Sequence, residues 1–289
     1  MNKKMFLSIS LCLLTTLTAY ADFSYILVDK LNINYNDPQG IADVNKILFP
    51  DGNFNWDTPQ KLTIKKSGND MQLDNGRQVF TIFNAPNFVM SVSKFELVNL
   101  NFVALEQDLD FSFDKFNLFS PDGDTLINNF HFQCKEGVNR SSYTFFDKIF
   151  EGCFTNSELE SSRVTMIYRD NEKLLQTHLM QSIFNSINTI VSQKNQQQIQ
   201  SESTNVMENI KFHMKKHSFS MEALVHAQLS GTVRMGGKGQ FMQEEQQFKV
   251  QLDRATFGWF NILDQVFSEL EKDTSGKIIV QRPNVFIKL

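Results

Sequence analysis

Long hydrophobic runs, an excess of positive charge and the short motifs of common catalytic sites are all missing from this chain of 289 residues. After the first 21 residues, no apolar run reaches the length of about eighteen that a membrane-spanning helix needs. Acidic residues (32) outnumber Lys and Arg (28), which argues against nucleic acid as a partner because phosphate binding needs excess positive charge. No Gly-x-Ser-x-Gly, phosphate-binding loop or Gly-x-Gly-x-x-Gly is present. We therefore predict neither an enzyme nor a cofactor.

Metal-ligand spacing is also missing. His213 and His217 are four residues apart, but they lie beside two lysines at the start of an alternating, strand-like pattern. Asp108, Asp110 and Asp114 line one polar strand face without the spacing of an EF-hand loop. The sequence predicts no metal site and no catalytic residue.

The first 21 residues have the features of a signal peptide. Lys3 and Lys4 precede an apolar stretch over residues 5–17, and Ala19-Tyr20-Ala21 supplies the small-x-small cleavage pattern. We expect cleavage near Ala21 and export to the periplasm or the extracellular space.

Cysteine is scarce: Cys12 falls within the predicted signal peptide, which leaves Cys134 and Cys153. In an oxidising compartment these two are expected to form a disulfide, with two buried thiols as the alternative.

Alternation of apolar and polar residues is the prevailing pattern. In FSMEALVHAQLSGTVRM, residues 219–235, every odd position is apolar or small. Strands average about five or six residues, so this run predicts one exceptionally long strand, followed by a hairpin loop at residues 236–239. Residues 88–134 read as a three-strand meander, in which one-residue phase slips indicate β-bulges.

Four segments have helical spacing instead. Residues 142–154 and 41–48 predict short helices, and residues 259–272 predict an amphipathic helix that buries Trp259. The longest candidate is residues 171–191, with Leu and Ile at steps of three and four. The chain is expected to end in one strand, placed at a sheet edge by Pro283.

These elements predict an α+β fold: a long, curved antiparallel β-sheet (a meander) wrapping one or two amphipathic α-helices. We divide the chain into a signal peptide (1–21), a β-rich region with the disulfide segment and the long helix (22–205), and a C-terminal hairpin, helix and edge strand (206–289). The alternative is one continuous sheet across the last boundary.

The run 219–235, the loop 236–239 and the strand–helix–strand ending over residues 255–289 together resemble the tubular lipid-binding superfamily. They also resemble the AsmA-like and lipopolysaccharide-transport-like hydrophobic-groove proteins of bacterial cell envelopes. The resemblance implies a curved sheet around a long helix, and a carrier or sensor of acyl chains that performs no chemistry.

Extended strands create more apolar surface than two helices can cover. We therefore expect a lipid or another long apolar ligand to bind in a groove of the sheet, with an envelope protein as a second class of partner. The predicted lining residues are Met221, Val225, Leu229, Val233, Phe248, Val250 and Leu252. The alternative function is a structural or adhesive surface module with a fully packed core that binds a protein.

Overall fold

The structure, a computed structural model, describes residues 25–48, 55–67, 70–77, 79–84, 92–105, 108–121, 123–134, 153, 156–168, 203–227, 231–244, 247–272 and 278–288. The predicted signal peptide and the predicted helix over 171–191 lie outside these residues. So does the predicted helix over 142–154, apart from Cys153.

The described chain is mostly antiparallel β-sheet with very little helix, and its seventeen described strands belong to one sheet. The strands are β1 (Tyr25–Asn36), β2 (Gln39–Val44), β3 (Lys46–Leu48), β4 (Gln60–Ser67), β5 (Asp70–Asp74), β6 (Val79–Asn84), β7 (Lys94–Leu105), β8 (Asp108–Ser120), β9 (Gly123–Cys134), β10 (Asn156–Tyr168), β11 (Ser203–Lys215), β12 (Ser218–Ala227), β13 (Gly231–Glu244), β14 (Gln247–Phe257), β15 (Phe260–Asn261), β16 (Ile278–Gln281) and β17 (Asn284–Lys288).

The pairings define an order across the sheet. It runs β6, β5, β4, β2, β1, β7, β8 and onward in chain order to β14, then β17 and β16. Short β3 also pairs with β1, and β15 pairs with β14. The sheet is thus a long meander in which β1 is inserted between β2 and β7. The expected meander over 88–134 is confirmed as β7, β8 and β9.

One face of the sheet carries the buried apolar side chains, and we call it the inner face; the opposite side is the outer face. Cross-strand partners place Ile33 beside Leu97, Leu97 beside Phe116 and Phe116 beside Ile127 on the inner face. All four side chains are buried in one cluster. Period-two alternation therefore produces this face, as the sequence predicted.

A row of polar residues crosses the middle of the sheet and interrupts the alternation of successive strands. On each strand from β7 to β11, two inner-face residues are separated by three positions instead of two: Leu97/Leu100, Phe113/Phe116, Ile127/Phe130, Ser161/Val164 and Met207/Ile210. Each strand shifts its alternation by one residue where it crosses the row, and neighbouring strands do so beside one another. Apolar side chains therefore stay on the inner face on both sides of the row.

Asparagine supplies the backbone conformation that this row needs. Asn99, Asn129 and Asn209 have φ values of 54°, 48° and 50°, in the left-handed region. Non-glycine residues seldom adopt that region, but asparagine tolerates it. Asp114 lies between Asn99 and Asn129 across the sheet, and Ser162 lies between Asn129 and Asn209; we call these five residues the asparagine row.

Side-chain hydrogen bonds connect the row. Asn99 Nδ2 donates to Asp114 Oδ2 at 2.6 Å, and Asn129 Nδ2 donates to Ser162 Oγ at 3.0 Å. The backbone N–H of Asn99 donates to Asn32 Oδ1 at 2.7 Å, which carries the row to β1. There Lys30, with a φ of 50°, marks a register shift against β7. The predicted β-bulge in β7 is confirmed.

The expected single strand over 219–235 is wrong. It is a hairpin of β12 and β13, in which Ala227 pairs with Gly231 and Val225 pairs with Val233. A connection of three residues keeps odd positions on the same face of both strands, so the alternation runs through the turn unchanged. The predicted loop at 236–239 is also wrong, because these residues lie inside β13.

Two smaller expectations are corrected as well. Residues 41–48 form β2 and β3 instead of a helix, with Ala42 and Val44 buried at strand spacing. The C-terminal strand is two strands, β16 and β17, because the chain turns at Arg282-Pro283. Strand β11 crosses the proposed boundary at residue 205 and pairs with β10 over twelve residue pairs, as in the alternative of one continuous sheet. The division into domains stays a prediction.

One helix is present in the described residues: α1 (Leu263–Leu270), within the predicted segment 259–272. Asn261 Oδ1 accepts a hydrogen bond from the N–H of Leu263 at the start of the helix. The apolar stripe of α1, with Val266 and Phe267, packs against β14, β16 and β17. Trp259, expected in that stripe, is instead fully exposed in the turn before β15. A sheet wrapped around helices stays a prediction.

We predict that Asn209→Ala lowers the free energy of unfolding by about 1 kcal/mol, because alanine is disfavoured at positive φ. Urea unfolding followed by circular dichroism measures this. Asn209→Gly is the matched control and should be near neutral, since glycine accepts the same φ. An equal loss in both variants would show that the side chain, and not the backbone conformation, matters there.

We also predict that stability falls in alkaline solution in a way that depends on Tyr35. Burial raises the pKa of Tyr35, and so does the hydrogen bond that its hydroxyl donates to Asp37 Oδ1 at 2.7 Å. A raised native pKa contributes stability below the unfolded-state pKa of about 10 and loses it as the pH rises further. In thermal melts across this range, Tyr35→Phe should flatten the decline; parallel declines would contradict the prediction.

Candidate functional site

The inner face has a phenylalanine half, made by residues of β7, β8 and β9. Phe113 and Phe130 stack with ring centroids 4.9 Å apart, and Phe95 meets Phe116 edge to face at 5.4 Å. Phe111 contacts both Phe113 and Phe130, at 5.6 Å in each case. Rings held in these geometries add about 0.5–1.5 kcal/mol per pair beyond their burial. This half is a packed core that stabilises the sheet.

The other part of the inner face is a methionine half, from β10 to β14. Cross-strand neighbours on this face include Met207 opposite Val225, Met214 opposite Phe219 and Met235 opposite Phe257. Five of the chain's eleven methionines belong to it: Met166, Met207, Met214, Met221 and Met235. Methionine side chains are flexible and polarisable, so a surface made of them adapts to apolar ligands of different shapes.

The predicted lining residues fall in this half, in two clusters. Met221 and Val225 belong to a cluster centred on β11–β13, while Val250 and Leu252 pack against the cluster of α1. Val225 is buried, whereas the other described members are half buried: Met221, Val233, Phe248, Val250 and Leu252. Leu229 lies outside the described residues.

One detail of the predicted site differs from the structure. The residues on β14 were expected to face those on β12 directly, but β13 lies between the two strands. The two sets are therefore separated by two interstrand spacings, about 10 Å. What lies between them depends on the inner-face residues of β13.

Two of those residues are glycines, which sequence reasoning assigned to a loop. Gly237 pairs with Met221 on one side and Ala255 on the other, and Gly239 pairs with Phe219 and Leu252. The ring of Phe219 lies over Gly239, where an added Cβ would be 2.8 Å from its atoms. A Cβ at Gly237 would meet its nearest atom only at 3.8 Å. Gly237 thus forms the floor of a shallow trough beside Met221 and Ala255.

The charged groups near the methionine half lie on the outer face. His226 Nε2 is 2.9 Å from Glu208 Oε2, and Arg163 Nη1 is 3.7 Å from Glu208 Oε1. The close contact with His226 and the nearby charge of Arg163 lower the pKa of Glu208. Across the sheet, Glu158 lies 3.7 Å from His213 Nδ1, and Glu160 lies 3.7 Å from Lys211 Nζ. These pairs are cross-strand contacts of a solvated surface.

The inner face of the methionine half is apolar. Among the described residues, no three His, Cys, Asp or Glu side chains are grouped to hold a metal ion. His213 lies on strand β11 and His217 in the turn after it, so they do not share a helix face. None of the described helices combines the length and apolar character needed to cross a bilayer.

The sulfurs of Cys134 and Cys153 lie at disulfide-bonding distance, with their Cα atoms 4.9 Å apart. Cys134 ends β9, and Cys153 packs against the same small cluster as Ile26 and Phe102. This contact lies beside the phenylalanine half, away from the predicted lining residues.

Comparisons of the chain with protein-family models, with curated proteins and with solved structures find no match. The resemblance to hydrophobic-groove proteins therefore stays a prediction.

We predict that Gly239→Ala lowers the free energy of unfolding by about 1–3 kcal/mol, since overpacking a filled site costs that much. The new methyl group would collide with the carbonyl oxygen of Gln251 and with the Phe219 ring. Gly237→Ala is the control, because its methyl group would make only an ordinary van der Waals contact, 3.8 Å from the carbonyl oxygen of Arg254. Chemical denaturation of both variants measures the difference, and equal stabilities would contradict the packing described for β13.

Proposed function

We propose that this protein is exported and binds a lipid or another long apolar ligand on the methionine half of its inner face, without catalysing a reaction. The observation that carries the proposal is the trough at Gly237, where an apolar face lacks a side chain between Met221 and Ala255. A packed strand of the core would place a Val or Leu there. The signal-peptide pattern and the paired cysteines support an oxidising compartment outside the cytoplasm.

The shape of the surface favours an elongated ligand. From β11 to β14 the face covers three interstrand spacings, about 14 Å, and its strands run about 30 Å or more. Half-buried Met221, Val233 and Leu252 keep accessible apolar surface along it. Each buried methylene of a ligand contributes about 0.8 kcal/mol, so an acyl chain gains affinity with length. None of the described residues on this face offers a charged anchor, which leaves headgroup choice open.

A second function is favoured by the phenylalanine half, whose stacked and edge-to-face rings fill the inner face. If ligand-sized space is absent throughout, the protein is a structural or adhesive module of the cell envelope that binds a protein partner through its outer face. The two functions differ in whether the methionine half takes up an apolar molecule.

We predict that protein purified from its natural host carries lipid detectable by mass spectrometry, and that delipidated protein binds dansyl-labelled undecanoic acid. Gly237→Leu should weaken probe binding about tenfold or more, because the leucine side chain fills the trough with apolar groups of its own. Gln240→Leu adds the same side chain to the outer face of the same strand and should leave binding unchanged.

Two results would contradict the proposal. Lipid-free protein that ignores the probe would leave the structural module as the remaining function. Probe binding that survives Gly237→Leu unchanged, in a variant whose circular dichroism matches the parent, would place the ligand elsewhere on the molecule.

A further inference from the structure

The turn between β5 and β6 contains the chain's one Asn-Gly pair, Asn75-Gly76. It connects Asp74, the last residue of β5, to Val79, the first residue of β6, and these two residues pair with each other. Gly76 has a φ of 81°, in the left-handed region that favours glycine. A Cβ added to Gly76 would meet nothing within 4 Å in the described part of the chain beyond its neighbours in sequence. The turn is therefore open on the side of Gly76.

Two hydrogen bonds hold this turn. The backbone N–H of Gly76 donates to Asp74 Oδ1 at 2.7 Å. The backbone N–H of Arg77 donates to Asn75 Oδ1 at 2.9 Å. The first bond places a carboxylate at the nitrogen that follows Asn75, and the second places a donor at the oxygen of the Asn75 side-chain amide. A carboxylate in contact with an N–H can accept its proton, and a donor at a carbonyl oxygen stabilises negative charge that develops there.

We propose that Asn75 is a site of self-modification, at which its side-chain amide closes a succinimide ring with the backbone of Gly76. The nitrogen of Gly76 attacks Cγ of Asn75 and forms the new C–N bond, while the proton on that nitrogen passes to Asp74 Oδ1. The N–H of Arg77 stabilises the negative charge on Oδ1 of the tetrahedral intermediate. The bond from Cγ to Nδ2 then breaks, and ammonia leaves with the proton that Asp74 held.

Water opens the ring in a second step. When water adds to Cγ and its bond to the Gly76 nitrogen breaks, the product is aspartate. When water adds to the backbone carbonyl carbon of residue 75 and that C–N bond breaks, the product is isoaspartate. The whole reaction consumes one water and releases one ammonia, with no change of oxidation state. Both products carry a carboxylate where the chain had a neutral amide.

A second asparagine followed by a small residue lacks this arrangement. Asn156 and Ser157 both lie in β10. Ser157 is buried, and it pairs with Met214 on one side and Cys134 on the other. Neighbouring strands on both sides hold the backbone extended, so the Ser157 nitrogen cannot turn toward the Asn156 side chain without breaking these pairings. Asn156 is therefore an internal control for Asn75.

The modification would change the end of the sheet. In isoaspartate the main chain passes through the side-chain carbons, so the connection that sets the pairing of Asp74 with Val79 becomes longer. The new carboxylate also lies next to the carboxylate of Asp74, and the two like charges repel each other. Because β5 and β6 end the strand order far from the trough at Gly237, the reaction marks the terminal hairpin without touching the proposed ligand surface.

The test follows the folded full chain during a long incubation at mildly alkaline pH. The peptide that contains Asn75 should gain the mass that results from replacing an amide NH₂ by OH, as measured by mass spectrometry of protease digests. Methylation of the digests by an isoaspartyl methyltransferase identifies the isoaspartate product. A sample unfolded in urea sets the time scale, because the same residues react there without the fold. Asn156 should stay unmodified in the folded chain.

Asp74→Asn keeps a hydrogen-bond acceptor but removes the base, and should slow conversion at Asn75 about tenfold or more, since a positioned base contributes about 10²–10⁴-fold. Gly76→Ala should also slow it, because alanine is disfavoured at positive φ. Asp253→Asn, which changes an exposed carboxylate on remote β14, is the matched control and should convert at the parent rate.

Three results would overturn the proposal. One is an intact Asn75 in the folded chain after the urea-unfolded sample has converted, and another is equal conversion of Asn75 and Asn156 in the folded chain. The third is an unchanged rate in Asp74→Asn when its circular dichroism matches the parent. Lipid content and probe binding do not enter these measurements, so this site and the proposed function can fail independently.

Discussion

The structure depends on keeping one apolar face continuous across a long antiparallel meander. A strand of thirteen residues can continue its alternation only if its neighbours match its phase over the whole length. The asparagine row meets this constraint: Asn99, Asn129 and Asn209 adopt left-handed φ at one level of the sheet, so β7 to β11 shift phase together. A slip in one strand alone would turn half of its apolar side chains toward solvent. The sheet keeps one continuous apolar face because neighbouring strands change phase at the same level.

The two halves of the inner face shield their apolar surface from water in different ways. In the phenylalanine half, rings from neighbouring strands fill the space that a second layer would occupy. In the methionine half, Met221 and Ala255 flank Gly237 while Phe219 and Leu252 flank Gly239, and only Gly237 is left uncovered by a side chain. Rigid aromatic packing stabilises the phenylalanine half, while the methionine half is the part to which the proposed function assigns an apolar ligand. Most of the described lining residues there are half buried, and Val225 is buried.

Several features could be read from the sequence, and the failures have physical causes. The meander of β7 to β9 and the bulge in β7 followed from phase slips in the apolar pattern. The hairpin of β12 and β13 was missed because a three-residue connection preserves odd–even phase. Gly237 and Gly239 read as a loop because glycine is the strongest turn signal, although here it accommodates Phe219 and leaves a trough. Trp259 fits the helical spacing of residues 259–272, but the chain reverses direction at Gly258. Trp259 therefore lies in a turn before α1 begins.

By itself the sequence determined that the chain builds antiparallel strands with one apolar and one polar face, since alternation is a local property of the backbone. Only the tertiary structure decided which strands are neighbours: β1 lies between β2 and β7, and β13 separates β12 from β14. It also decided that the asparagines of distant segments align in one row. The physical reason is that periodicity records the side of a strand on which a residue lies, whereas register and strand order come from hydrogen bonds and packing between segments far apart in the chain.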